Sequence, residues 1–173
     1  MHLNIEIKAH CPDPERVRQI LKDHQAYFRG IDHQVDTYFK VPNGRLKLRE
    51  GNIENHLIHY ERPDQAGPKA SHVSLFKTEP DSSLKLLLTK ALGLLTIVDK
   101  KRSIYFIDNV KFHIDQVEEL GAFVEIEAID IDGNIGQAKL LEQCNHYIAL
   151  LGIDQAQLLE RSYSDLLIEK HKQ

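Results

Sequence analysis

The chain has 173 residues, with 22 Lys plus Arg against 26 Asp plus Glu, a formal net charge of −4. Hydrophobic residues make up 42% and charged residues 28%, the mix expected of one globular domain, read here as residues 1–173. This balance excludes a protein driven onto nucleic acid or an anionic membrane by its overall charge. No stretch approaches the roughly 20 apolar residues that span a bilayer.

The opening segment, MHLNIEIKAH, lacks the apolar core of a signal peptide. Cys11 and Cys144 form no CxxC pair and read as free thiols of a reducing compartment, so a cytoplasmic location is expected. Leu3, Ile5 and Ile7 alternate with Asn4, Glu6 and Lys8, which predicts a strand with one apolar and one charged face. Asp13-Pro14 starts a helix whose stripe is Val17, Ile20 and Leu21, extended to Tyr27-Phe28.

Strands are predicted over 34–41, 45–49, 54–62 and 71–78, with a Pro42-Asn43-Gly44 turn between the first two. A helix over 82–92 carries Leu84, Leu87, Leu88 and Ala91 and stops at Gly93. Two separate strands follow, 94–101 and 102–107, then 110–117 and 122–130. The end is helical over 135–151, 155–160 and 164–169. Many strands with helices at the margins suggest a single antiparallel sheet that curls or closes.

Residues two apart on a strand share a face. Lys47 and Arg49 therefore point together, as do Tyr60 and Arg62, Lys100 and Arg102, and Glu125 and Glu127. Lys111, His113 and Asp115 form another such set. The opposite faces (Leu46, Leu48, Leu57, Ile104, Phe106, Phe123, Val124, Ile126) are expected to pack against helices. Two architectures fit: a sandwich with solvated charged faces, or a closed barrel with a charged lumen. In the barrel, the average of −4 conceals a basic interior. Rings of Lys and Arg suit a triphosphate, and carboxylates beside them suit Mg²⁺ or Mn²⁺ bridging to phosphate oxygens.

Single residues add less. None of the ten histidines has metal-ligand spacing, and His113 is expected in the lumen as a hydrogen-bonding group. No GxSxG or GxxxxGK[ST] occurs, so phosphate would be gripped by side chains. Lys77 reads as surface or as an extension of the cationic ring. Asp36 and Tyr38 either line the lumen or pin its wall, and Tyr163 and Asp165 pack against or plug one mouth.

Several segments together resemble the CYTH superfamily, named for bacterial class IV adenylyl cyclases and thiamine triphosphatases. They are Asn4-Ile5-Glu6-Ile7-Lys8 against the ExExK signature, Val35–Phe39, Gly44–Glu50, Tyr60–Pro63, Val98–Arg102, Asp115–Glu127 and Ser162–Leu167. The resemblance spans nearly the whole chain and is nearest the cyclase branch. It implies an α+β fold, an antiparallel closed β-barrel (the triphosphate tunnel) with flanking helices. It also implies Lys8, Lys47, Arg49, Arg62, Lys100, Arg102 and Lys111 as triphosphate ligands. Glu6, Asp115, Glu125 and Glu127 are implied as metal ligands, and Glu6, Lys8, Arg102 and Lys111 as the catalytic set. Asn4 departs from the signature, because its amide brings no charge where the family has its first Glu.

The expected function is metal-dependent cyclisation of ATP to cyclic AMP and pyrophosphate. The alternatives are an inorganic or organic triphosphatase and a non-catalytic polyphosphate- or nucleotide-binding module. The expected partner is ATP or inorganic triphosphate, with no nucleic acid and no membrane; a homodimer stays open.

Overall fold

The computed structural model describes residues 2–172. Eight strands form a closed antiparallel barrel: β1 (His2–His10), β2 (Tyr27–Phe39), β3 (Arg45–Gly51), β4 (His56–Glu61), β5 (Lys69–Lys77), β6 (Leu94–Ile107), β7 (Val110–Val117) and β8 (Gly121–Asp130). Around the barrel their order is β1-β5-β4-β3-β2-β6-β7-β8. Four α-helices accompany it: α1 (Pro14–Asp23), α2 (Leu84–Leu92), α3 (Gln137–Leu151) and α4 (Tyr163–Lys170). The sandwich reading is thereby overturned.

The barrel is polar inside and apolar outside. Ile5, Ile7, Phe112, Ile114, Val124 and Ile126 point outward into a core closed by Val17 and Leu21 of α1 and by Leu140, Cys144 and Leu151 of α3. Asp13 caps α1 as predicted, accepting the Arg16 N–H at 3.0 Å. Asp130 accepts N–H groups of Asn134, Ile135 and Gly136, which sets the turn into α3. Cys11 and Cys144 are both free and buried in this outer core.

A second cluster lies within the barrel at one end. Tyr163 and Leu167 of α4 pack there on Tyr38, Val98, Val117 and Phe123. The Tyr163 and Phe123 rings are 4.9 Å apart, so α4 plugs this mouth. Phe123 therefore points inward, because it shares the parity of Glu125. Ile104 and Phe106 likewise follow the face of Lys100 and Arg102, through the pairs Arg102↔Asp115 and Ile104↔His113.

Three other expectations change. Residues 94–107 form one unbroken strand, because β2 pairs along it from Phe39↔Leu94 to Tyr27↔Phe106. Tyr27 and Phe28 belong to β2 and are exposed rather than part of the α1 stripe. Helix α2 buries no residue, and Leu87, placed in its apolar stripe, is 59% exposed.

Candidate active site

The lumen opens at the end opposite α4 around a cavity of about 170 Å³. Lys8, Lys47, Arg49, Arg62, Lys100, Arg102 and Lys111 all line it, together with Glu6, Asp36, Glu54, Glu125 and Glu127. Strand parity brings them there. Each sits on the inward side of its strand, and the barrel closes those sides around one space.

Across the lumen every cation meets a carboxylate. Asp36 on β2 is the busiest. Arg49 grips it through Nε–Oδ1 at 2.8 Å and Nη2–Oδ2 at 2.9 Å, while Lys100 and Lys47 reach Oδ2 at 2.7 and 3.0 Å. Glu54 takes Arg49 Nη1 at 3.2 Å and the Lys111 ammonium. Glu6 pairs with Arg62 and Glu125 with Lys8. Lys8 also sits 3.4 Å from the centroid of the Tyr163 ring.

These pairings fix the protonation states. Burial alone would raise Asp36, yet Arg49, Lys100 and Lys47 hold it well below the usual carboxylate range. Glu125 behaves the same way, burial being overcome by Lys8 and Arg102. Glu6 is pushed up, because burial outweighs Arg62 and because Glu127 and Glu125 lie near. Lys100 is lowered to about 7 by burial. His113 is also lowered, by burial and then by Arg102, and its ring pairs with Glu125 Oε2 at 3.0 Å.

The expected basic interior is moderated: seven cationic side chains face five carboxylates on the wall, so a small cationic excess remains. The physical reason is desolvation: unpaired ammonium and guanidinium groups in a narrow barrel would be too costly, so each has a partner.

Four carboxylates were implied as metal ligands, and they differ in availability. Asp115 lies beneath the wall with both oxygens engaged, by Arg102 and by the Tyr163 hydroxyl at 2.9 Å. It does not fit a metal. Glu6 and Glu125 line the cavity but already hold cations. Among the described residues, Glu127 has one ionic contact, His113 Nδ1 at 3.9 Å. Glu127, Glu125 and His113 bring ligand atoms within 4.8 Å of one another, a group able to hold a divalent cation. Glu127 is the carboxylate there that fits best.

Glu54 was missed as a site residue, although it shares the parity of Tyr60 and Arg62. It belongs to the loop before β4, which Asp32 pins by accepting the Ile53 and Glu54 N–H groups at 2.9 and 3.0 Å. Gly51 leaves room for that carboxylate; a Cβ there would meet Asp32 Oδ1 at 2.7 Å. Asp36 and Tyr38, left between two roles, both line the lumen, whereas Lys77 is exposed. Lys69 is buried away from the cavity and donates to the carbonyls of Gln65, Leu159 and Glu160.

A closed eight-stranded antiparallel tunnel with cations from four strands and from Arg62, just after β4, facing carboxylates defines a protein of the triphosphate-tunnel class. The chain belongs to the CYTH domain family, whose domain matches residues 2–163. The adenylate cyclase CyaB of Aeromonas hydrophila is 32% identical over 144 residues, covering 78% of this chain and 72% of that protein. The structure of a Pyrococcus horikoshii protein, PH1012, superposes with a TM-score of 0.80 at 24% identity, covering 96% of this chain and 99% of that one. A Hippeastrum protein, assigned as an adenylyl cyclase candidate and described as having a dominant triphosphatase activity, superposes with a TM-score of 0.60 at 15% identity, covering 100% and 97%. Among the described residues, no helix is long and apolar enough to cross a membrane.

Proposed function

We propose that the lumen binds the triphosphate of ATP and that the protein is an adenylyl cyclase, forming cyclic AMP and pyrophosphate. The observation that supports this reading best is the convergence of seven Lys and Arg side chains on one cavity beside a carboxylate, Glu127, that holds no close cation. A small anion of high charge is what such a lining suits. The similarity to a named adenylate cyclase supports the choice of reaction.

In the reaction, the ATP 3′-oxygen attacks the α-phosphorus, the bond to the bridging oxygen breaks, and pyrophosphate leaves. Arg102 and Lys111 face the reacting phosphate and stabilise its developing charge. Lys47, Arg49, Arg62 and Lys100 hold the departing pyrophosphate, and Lys8 neutralises it from β1. Asp36 and Glu54 keep the cations in position beforehand, so little reorganisation is needed as charge develops. Glu6 is the carboxylate placed to take the hydroxyl proton. Glu127, with Glu125 beside it, would hold Mg²⁺ or Mn²⁺, which supplies Lewis-acid stabilisation when bound.

A triphosphatase is the second reading. Asn4 keeps it open, because the missing charge removes one anionic ligand from the family's signature. The Hippeastrum protein is a precedent for that activity on this fold. In this reading water attacks the terminal phosphorus, its bond to the bridging oxygen breaks, and phosphate forms as the diphosphate leaves: pyrophosphate from inorganic triphosphate, ADP from ATP.

One product assay decides. ATP, inorganic triphosphate and thiamine triphosphate are each incubated with Mg²⁺ or Mn²⁺. Cyclic AMP and pyrophosphate from ATP are expected, lost in Arg102→Ala. Phosphate without cyclic AMP would replace the cyclase with the triphosphatase. Binding without turnover would leave a binding module.

A further inference from the structure

Two polar side chains in the lumen have no partner. Asn4 Oδ1 and Ser71 Oγ are buried and make no hydrogen bond among the described residues. Asn4 is 4% and Ser71 1% exposed, and both line the cavity. They are not scattered. Asn4 on β1 stands directly opposite Ser71 on β5, and both face inward. Cross-strand partners of this kind have Cβ atoms about 4.5–5.5 Å apart, so the two oxygens address one spot. A buried oxygen left without a partner costs free energy, which a ligand group that hydrogen-bonds to it recovers.

The position along the barrel says what that group is. Deep in the lumen, this side carries Lys8, paired in register with Glu125. One step outward comes Glu6, opposite Glu127. Next come the neutral oxygens of Asn4 and Ser71. Ile129 on β8 lies level with Asn4, and outermost, at the open mouth, the apolar Val73 and Leu75 line the cavity beside His2, with Leu75 half exposed. The wall therefore runs from charged, through neutral and polar, to apolar. An organic triphosphate has the same order: phosphates, then a hydroxyl-bearing unit, then a ring system. Inorganic triphosphate has only the first part.

We infer that Asn4 and Ser71 form a subsite for the uncharged hydroxyls of a nucleoside triphosphate, with Ile129 flanking them and Val73 and Leu75 covering the ring beyond. This rests on the triphosphate reading of the lumen and assigns the residues that make the site prefer an organic substrate. The lack of charge at Asn4 is then a fit to a hydroxyl rather than a weakened metal ligand.

The test is calorimetric titration of the whole protein, in Mg²⁺, with ATP, 2′,3′-dideoxy-ATP and inorganic triphosphate. ATP should bind about 25–100-fold more tightly than the dideoxy analogue, the worth of two lost hydrogen bonds. Ser71→Ala removes only the hydroxyl. It should weaken ATP about 5–10-fold, the worth of one of the two hydrogen bonds, and leave the other two probes unchanged. The comparison of ATP with its analogue needs no variant, so a folding defect cannot mask it. Equal loss for ATP and inorganic triphosphate in Ser71→Ala would assign the niche to phosphate or its metal and overturn the inference. So would a dideoxy analogue that binds as tightly as ATP. Binding of inorganic triphosphate with refusal of ATP would overturn the subsite alone. Binding of neither by the unmodified protein would remove the triphosphate reading as well.

Discussion

The Arg102 guanidinium grips the Asp115 carboxylate with two parallel hydrogen bonds, Nε to Oδ1 at 2.7 Å and Nη2 to Oδ2 at 2.6 Å. Both groups are buried, and the Tyr163 hydroxyl donates to the same Oδ2. Asp115 thus aims Arg102 into the lumen and ties the plugging helix to the barrel. Asp115→Ala removes both short bonds to the buried guanidinium and leaves it only Glu125 Oε2 at 3.2 Å, so a loss of about 3 kcal/mol is expected. Tyr163→Phe removes one hydrogen bond and should cost about 1 kcal/mol. Denaturant unfolding of the two variants checks the ranking; equal losses would contradict it.

Lys100 provides a pH dependence. Its pKa of about 7 lies below that of an ordinary lysine, because it is buried. The unfolded chain therefore binds more protons than the folded one between that value and the ordinary lysine range, and this group makes stability rise with pH there. A bound polyanion favours the charged ammonium. At pH 8, binding of inorganic triphosphate should take up a proton at Lys100, and at pH 6 it should not. Titration at each pH in two buffers of different ionisation enthalpy measures this, with Lys100→Met as the control that abolishes it.

Acid acts through the opposite group. Asp36 is held well below the usual carboxylate range, so its stabilising contribution is present above the ordinary aspartate pKa. It is lost only as pH falls through the lower folded value. Asp36→Asn removes this pH dependence and leaves Arg49, Lys47 and Lys100 underpaired. Its melting temperature near neutral pH should fall by more than it does near pH 3, where the native protein also loses stability.

Glu127 is the inward carboxylate least committed to the fold, and it separates binding from stability. Glu127→Gln should weaken Mn²⁺ binding about tenfold or more while leaving the unfolding midpoint nearly unchanged. Glu125→Gln disturbs Lys8, Arg102 and His113, so it should lower both. Electron paramagnetic resonance of free Mn²⁺ reports the first quantity and thermal melts the second. Unaltered Mn²⁺ affinity in Glu127→Gln would place the metal elsewhere.

The two apolar surfaces should respond in contrasting ways. Leu86 and Leu87 on α2 are each 59% exposed, so Leu87→Ser is expected to change stability by about 0.5 kcal/mol or less. Leu140 on α3 is fully buried against the barrel, and Leu140→Ala should cost about 2–5 kcal/mol. Paired urea titrations measure the difference.

The sequence alone determined which residues share a face. Period-2 alternation placed Lys47 with Arg49 and Glu125 with Glu127, because that follows from backbone geometry within one strand. It also located the Asp13 cap and the Pro42-Asn43-Gly44 turn, both local hydrogen-bonding and dihedral preferences. Parity would have found Glu54 as well, had Tyr60 and Arg62 been followed back to the first residue of the predicted strand 54–62. What alternation could not decide was the side on which each face ends up. A charged face is equally consistent with water and with a lumen, and only closure of β1 against both β5 and β8 separates them. Closure also turned Phe123 inward against Tyr163, far away in sequence. It turned a supposedly basic interior into paired charges, because confinement in a barrel makes an unpartnered cation too costly. The same enclosure left Asn4 and Ser71 without partners, a vacancy that becomes visible only when two distant strands are side by side.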